Sequence, residues 1–223
     1  MTPNTPGNDP RASRPRRNPG ASAGESPGDL QDAYLRRSIA EIESLNREIL
    51  ACSHCVPKDE LPVLASGSPQ AEIMMVKWSA SLAERQEGVA FFGRAGTAIL
   101  KSVERLGINP ATMYGTLAVK CSHLADHDAA KLCPPWLAQE ISIVMPKLVV
   151  AMGAQALDAI NGIDYPLAEP LRTETGIVQR WTPTIDALYV PDIDASLDEQ
   201  NAKRAFWGAF RAIGEWHEAQ PPY

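Results

Sequence analysis

Four short, mainly apolar runs, separated by longer segments with a helical period, constrain the fold of this chain more than any other feature. The runs occupy residues 73–76, 113–119, 148–152 and 187–190. Strands that are apolar along their whole length are buried on both faces, which is typical of parallel sheets covered by helices. With right-handed crossovers, the sequence predicts an α/β fold, a three-layer α/β/α sandwich with a central, mostly parallel four-stranded sheet.

Amphipathic helices are predicted around these strands because apolar residues recur there every three or four positions. The first such segment runs from Leu30 to Leu50. Further helices are predicted over residues 95–106, 129–144, 153–160 and 199–217. Ligands of open parallel sheets bind beyond the carboxyl ends of the strands. We therefore expect the functional site in the segments that follow Val76, Val119 and Val190.

The domain organisation follows from composition and charge. Residues 1–29 are rich in Pro, Gly and Ser and predict a disordered tail, residues 30–217 a folded domain, and residues 218–223 a C-terminal tail. Residues 1–24 carry four arginines against one aspartate, a net charge of +3, so with −6 for the whole chain the remainder carries −9. An acidic fold argues against tight DNA binding by the domain itself, whereas the basic tail is either a solvated leader or an electrostatic tether to DNA or an acidic partner.

The cellular setting is predicted from what the sequence lacks. No apolar run is long enough to span a bilayer, and the N-terminus has no apolar stretch of the kind that directs secretion. Four cysteines are few for a secreted disulfide scaffold of 223 residues. We expect a cytoplasmic monomer, with DNA or a protein as its partner and no membrane.

The cysteines are arranged as metal ligands often are. Cys52 and Cys55 form a C-x-x-C at the end of the first helix, Cys121 follows a strand, and Cys133 precedes a helix. Two close thiolates chelate one centre and two distant ones complete it after folding, which suits zinc or an iron–sulfur cluster. The spacing leaves both metals open, and buried structural thiols are the alternative.

These cysteines and three ordered motifs together resemble the four-cysteine, iron–sulfur uracil-DNA glycosylases of the family 4 type. The motifs are Gly-Val-Ala-Phe-Phe-Gly-Arg-Ala-Gly at residues 88–96, Pro-Lys-Leu-Val-Val with a later Gly and Ala at 146–156, and Lys-Arg-Ala-Phe-Trp at 203–207. The resemblance covers about residues 49–207. It implies a uracil-DNA glycosylase-like fold, a link to DNA repair, and a [4Fe-4S] cluster, rather than zinc, on the four cysteines.

The resemblance also identifies positions where this chain departs from the family. The family's G-E-x-P-G motif is replaced by Lys-Trp-Ser-Ala-Ser at residues 77–81, with Trp78 at the glutamate position. Leu117 stands where the family has a uracil-binding asparagine, and Asp194 stands where it has a histidine that stabilises the departing uracil. The departing uracil carries negative charge, which an aspartate opposes. Losing a group that stabilises such charge typically lowers the rate by a factor on the order of 10²–10³.

The candidate site residues follow from this comparison. Phe91 is placed where the family stacks an aromatic ring on the flipped base, and Trp78 and Leu117 would line the same pocket. Ordinary core packing is the alternative for Phe91. Asp194 and Glu84 are the candidate catalytic carboxylates, Glu84 because it lies in the loop before the Gly-rich motif; a solvated surface role is its alternative.

Three functions remain open on the sequence. In the first, fold and cluster are kept, uracil excision is lost or strongly reduced, and the chain binds DNA or a protein. In the second, it is an active glycosylase on uracil or another modified base, with Asp194 activating water and Trp78 as a stacking wall. In the third, it is an iron–sulfur interaction module that does not act on DNA. A basic groove, a filled pocket or an exposed apolar patch would favour DNA binding, lost catalysis or a protein partner, respectively.

Overall fold

A computed structural model describes residue 1 and residues 27–53, 61–121, 133 and 135–221. Its centre is one six-stranded sheet with the spatial order β1-β3-β2-β4-β6-β5. The strands are β1 Ser66–Gly67, β2 Ile73–Lys77, β3 Met113–Leu117, β4 Leu148–Met152, β5 Val178–Arg180 and β6 Asp186–Val190. The four inner strands are parallel and the two edge strands pair antiparallel.

The four predicted strands are therefore confirmed as the parallel centre of the sheet, and β1 and β5 are additional. These edge strands have only two and three residues, and most of those residues are half-buried rather than buried. Such short segments carry no apolar run, and their pairing depends on the neighbouring strand, so a pattern of residues does not reveal them.

The helices predicted over residues 30–50, 95–106 and 153–160 are confirmed to within about three residues at each end. Among the described residues, the helix predicted over 129–144 begins at Trp136, and two short helices, Leu82–Glu87 and Ile193–Ser196, were not predicted. The helices of the described residues are α1 Pro27–Ala51, α2 Leu82–Glu87, α3 Arg94–Arg105, α4 Trp136–Val144, α5 Ala154–Asn161, α6 Ile193–Ser196, α7 Gln200–Phe210 and α8 Ala212–Glu218. The first helix begins inside the segment predicted as a tail, and residues 2–26 lie outside the described residues. The predicted C-terminal helix is two helices that share one apolar period. Within the described residues, no helix is long and apolar enough to cross a membrane.

Helices cover both faces of the sheet, which confirms the three-layer sandwich. On one face, Met74 and Val76 of β2 pack with buried residues of α4 and α5. On the other face, Ile73 and Met75 pack with buried residues of α3, α7 and α8. Successive strand residues thus serve opposite cores, as the two-residue period of a strand requires.

The parallel register brings the carboxyl ends of the inner strands to one level. Lys77 of β2 is the register partner of Leu117 of β3 and of Met152 of β4, and Met152 is the partner of Val190 of β6. The segments that leave these strands therefore meet at the same edge of the sheet. This is the edge where ligands of open parallel sheets bind.

Candidate functional site

The last residue of β2, Lys77, is the centre of a buried ion-pair cluster at this edge. Its side chain is 2% exposed, and its Nζ donates to Oε2 of Glu84 at 2.8 Å. The same Nζ lies 2.5 Å from Oδ2 of Asp194. The cluster Lys77–Glu84–Asp194 joins β2 to α2 and α6. A buried ammonium is tolerated here because two carboxylates compensate its charge.

Glu84 is fixed by the start of its own helix. The Ser81 backbone N–H donates to Glu84 Oε2 at 2.7 Å, and Ser81 Oγ accepts from the Glu84 backbone N–H, which together form a capping box. The Phe91 backbone N–H donates to Glu84 Oε1 at 2.6 Å. Glu84 is completely buried rather than solvated, with both oxygens engaged. The Ser-x-x-Glu spacing of residues 81–84 was the sequence signal for this cap.

Phe91 has a constrained position between two glycines. Its φ is 60°, in the left-handed region that non-glycine residues rarely adopt. A Cβ on Gly96 would lie 1.6 Å from the Phe91 carbonyl oxygen, and one on Gly115 would lie 2.5 Å from Phe91 Cδ2. The Lys77 Nζ lies over the Phe91 ring, 5.5 Å from its centroid. The ammonium therefore faces the ring that the family resemblance assigns to base stacking.

Trp78 and Leu117 were expected to line one pocket with Phe91, but Leu117 packs beside this ring whereas Trp78 lines a cleft that does not include it. Leu117 is completely buried and packs with Val63 and Ala90, with Phe91 against them. Trp78 is 6% exposed and belongs to the core on the other side of the strand end. Its indole N–H has no hydrogen-bond partner within the described part of the chain. Where the resemblance placed a glutamate and an asparagine, the structure thus has packed hydrophobic groups.

Asp194 differs from Glu84 in keeping contact with solvent. Its side chain is 37% exposed, and it lies in the first turn of the short helix α6, which Asp192 caps by accepting a hydrogen bond from the Ala195 N–H at 2.9 Å. Burial raises the pKa of Asp194; Lys77 acts in the opposite direction, and Glu84 and Asp192 add to the rise. The net effect is a pKa above the ordinary range of an aspartate.

A cleft of about 480 Å³ opens beside Asp194. Its walls come from the segments after β2, β4 and β6 and from the start of α3. The lining residues are Trp78, Ser79, Ala80, Ser81, Leu82, Ala83, Arg94, Ala95, Gln155, Asp192, Asp194, Leu197 and Asp198. Arg94 is paired with Asp198 at 2.5 Å, so the charged lining is one guanidinium against three carboxylates. The cleft is therefore acidic and not the basic groove that would favour DNA binding.

A second buried ion pair lies on the other side of β3. Lys120 Nζ donates to both carboxylate oxygens of Glu140, at 2.8 and 2.7 Å. Thr116 Oγ1 donates to Glu140 Oε2 at 2.6 Å and also contacts Lys120 Nζ, and the Tyr114 hydroxyl lies 3.5 Å from Oε1. Burial, and then Glu140, raise the pKa of Tyr114. Sequence reasoning missed this network; an acid on the apolar face of a predicted helix was its signal.

The structure describes three of the four predicted metal ligands. Cys52 directly follows α1, with its N–H donating to the Ile49 carbonyl at 3.2 Å, Cys121 directly follows Lys120, and Cys133 precedes α4. All three are partly buried, and α1 packs along α4. Cys55 lies outside the described residues. Among the residues that are described, no three His, Cys, Asp or Glu side chains group closely enough to hold a metal ion.

Comparison with known proteins decides the family. The sequence model of the Uracil DNA glycosylase superfamily matches residues 64–210. This chain belongs to that superfamily. The match includes both buried ion pairs, Phe91 and the whole parallel sheet, and it stops before α8.

Curated relatives at moderate identity are named Type-4 uracil-DNA glycosylase. The protein of Sulfurisphaera tokodaii is 31% identical over 121 residues, which are 50% of this chain and 54% of the relative. That of Pyrobaculum aerophilum is 25% identical over 139 residues, 59% of this chain and 70% of the relative. That of Thermotoga maritima is 27% identical over 129 residues, 56% and 67%. The chain thus spans about half the length of the first of these relatives.

Proposed function

We propose that this member of the superfamily has lost, or strongly reduced, the excision of uracil, and that it retains the fold and a cysteine-bound [4Fe-4S] cluster to bind DNA or a protein partner. One observation carries the proposal. The Lys77 ammonium lies over the Phe91 ring, held there by Glu84 and Asp194.

Admitting a base to this ring would require Lys77 to move. A stacked base needs the face of Phe91, and the ammonium is 5.5 Å from the ring centroid with Leu117 packed beside it. Moving the lysine would separate it from two carboxylates, and breaking a buried pair costs about 3–5 kcal/mol. At about 1.4 kcal/mol per factor of ten, base binding would weaken by roughly two to three and a half orders of magnitude.

The charges of the site oppose the chemistry as well. A departing uracil carries negative charge, which a pocket must stabilise with donors or cations. Asp194 supplies a carboxylate there, and Lys77 is already committed to it and to Glu84. The further carboxylates Asp192 and Asp198 in the cleft repel the phosphates that would deliver a base. The position of Lys77 and the negative charge of the cleft thus both disfavour uracil excision.

The cluster is proposed from the donor set. Cys52, Cys121 and Cys133 are partly buried thiols, Cys52 follows α1, which packs along the helix α4 that Cys133 precedes, and Cys55 belongs to the same C-x-x-C as Cys52. Thiolate-only donors suit iron–sulfur clusters and zinc alike, and the relatives' family favours [4Fe-4S]. When bound, such a cluster supplies a structural cross-link and a redox-active centre. Iron and sulfide analysis of anaerobically purified protein distinguishes it from zinc.

Single-turnover excision is the test of lost chemistry. Cluster-loaded protein is mixed with uracil-containing single- and double-stranded oligonucleotides, and alkali reveals abasic sites. We expect no cleavage above background, while the Thermotoga maritima relative serves as the positive control. Cleavage at uracil at a rate comparable to that control would refute the proposal.

A second function, excision of a different modified base, is favoured by one specific observation. Asp194 is 37% exposed beside the cleft and has a raised pKa, two properties that suit a general base for water. The same assay with a panel of oxidised, deaminated and alkylated bases tests this function. Excision that disappears in Asp194→Asn would support it, and no excision of any base would leave the binding function alone.

A further inference from the structure

The second buried ion pair connects segments that carry cysteines. Lys120 immediately precedes Cys121, and Glu140 lies on α4, seven residues after Cys133. The ammonium of Lys120 donates to both oxygens of Glu140, so the contact restrains α4 in rotation as well as in distance. The Thr116 hydroxyl adds a third point of contact from β3.

The segment of Cys52 and the chain around Val63 meet the same place. The Val63 backbone N–H donates to the Lys120 carbonyl at 2.9 Å. The helix α1, which Cys52 follows directly, packs along α4. Its buried residues Leu45 and Ile49 lie in the last two turns before that cysteine. For each of the three described cysteines, Cys52, Cys121 and Cys133, the segment that carries it therefore includes or adjoins Lys120 or contacts the helix of Glu140.

The position of the pair is not explained by stability alone. A buried ion pair is commonly no more stabilising than well-packed apolar residues of the same size, and its established use is to fix a register. We propose that Lys120, Glu140 and Thr116 form a positioning network that holds the segments of Cys52, Cys121 and Cys133 in place for the cluster. This inference rests on the proposed cluster, and it assigns these residues no contact with the metal.

The test compares two buried lysine–glutamate pairs in one protein. Lys120→Met and Glu140→Gln disrupt the positioning network, and Lys77→Met disrupts the matched pair, which is equally buried at the end of the adjacent strand but distant in sequence from any cysteine. Thr116→Val is a smaller change that replaces only the hydroxyl by a methyl group and leaves the ion pair in place. Iron and sulfide per chain are determined after anaerobic purification, and loss of the visible absorption is followed after a chelator is added, with far-ultraviolet circular dichroism to confirm folding.

We expect Lys120→Met and Glu140→Gln to release iron at least about tenfold faster than wild type. Loss of a group that holds a metal ligand in place typically weakens metal affinity by about 10- to 100-fold. Thr116→Val should show a smaller acceleration, and Lys77→Met should release iron at the wild-type rate although its folding is also weakened. Equal release rates from the Lys120 and Lys77 variants, or a wild-type rate in folded Thr116→Val and Glu140→Gln, would overturn the inference. A wild-type protein without iron and sulfide would instead refute the cluster itself.

Discussion

Replacing Lys77 by methionine should weaken folding far more than replacing an exposed lysine. Glu84 is completely buried, and without Lys77 it keeps only the Ser81 and Phe91 N–H donors and no cation. Removing one partner of a buried ion pair costs about 3–5 kcal/mol. Because 1 kcal/mol shifts the Tm of a domain of this size by about 2–4 °C, the Tm should fall by about 6–20 °C.

The double variant Lys77→Met with Glu84→Gln separates charge from packing. With glutamine at position 84, the amide oxygen accepts from one of the two backbone N–H groups, of Ser81 or Phe91, but the amide NH₂ faces the other, donor against donor. We therefore expect the double variant to lose about 1–3 kcal/mol of folding free energy relative to wild type. Lys101→Met, at an exposed position of α3, is the matched control and should change stability by less than about 0.5 kcal/mol. Urea unfolding followed by circular dichroism measures all three. A loss of less than about 1 kcal/mol of folding free energy in the single variant would contradict the role of Lys77 in compensating Glu84. A double variant no more stable than the single one would contradict it as well.

Further predictions concern the pKa of an acid, two glycines and the tail. Because the folded-state pKa of Asp194 is raised, the folded state holds the proton more tightly, and wild type should lose stability relative to Asp194→Asn as pH rises from below the ordinary aspartate range towards neutrality; a gain over the same range would contradict the pKa direction. Gly115→Ala should destabilise by about 1–3 kcal/mol because its Cβ would lie 2.5 Å from the Phe91 ring, whereas Gly208→Ala, with nothing within 4 Å, should be neutral or slightly stabilising in the same thermal scans. Deleting residues 2–24 should weaken DNA binding and reduce its salt dependence in fluorescence anisotropy, and an unchanged salt slope would exclude the tail as a tether.

The parts of the fold that the sequence predicted are those that bury continuous apolar surface. Strands β2, β3, β4 and β6 carry such runs, so their existence and their parallel pairing followed from residue patterns, whereas their order in the sheet did not. The edge strands depend on pairing with a neighbour. The break between α7 and α8 was equally invisible, because Phe206, Phe210 and Ile213 continue one apolar period through it.

The site was predicted in place but not in its interactions. Trp78, Leu117 and Asp194 were expected at the strand ends, and the register puts them there. The pairing of Lys77 with Asp194 joins residues more than a hundred positions apart, and only the order of the strands makes them neighbours. Glu84 was expected as a loop acid, and its burial became visible only when the capping box and Phe91 were placed around it.

The complete burial of Glu84 has a consequence for how this site changes by mutation. Opening the space over Phe91 by a substitution of Lys77 alone leaves an uncompensated carboxylate in the interior, so such a protein loses stability before any base can enter. A neutral residue at position 84 must come first, yet that change leaves the lysine with Asp194 as its remaining carboxylate. The order of substitutions therefore matters, because each single step leaves a charge of the cluster with fewer partners.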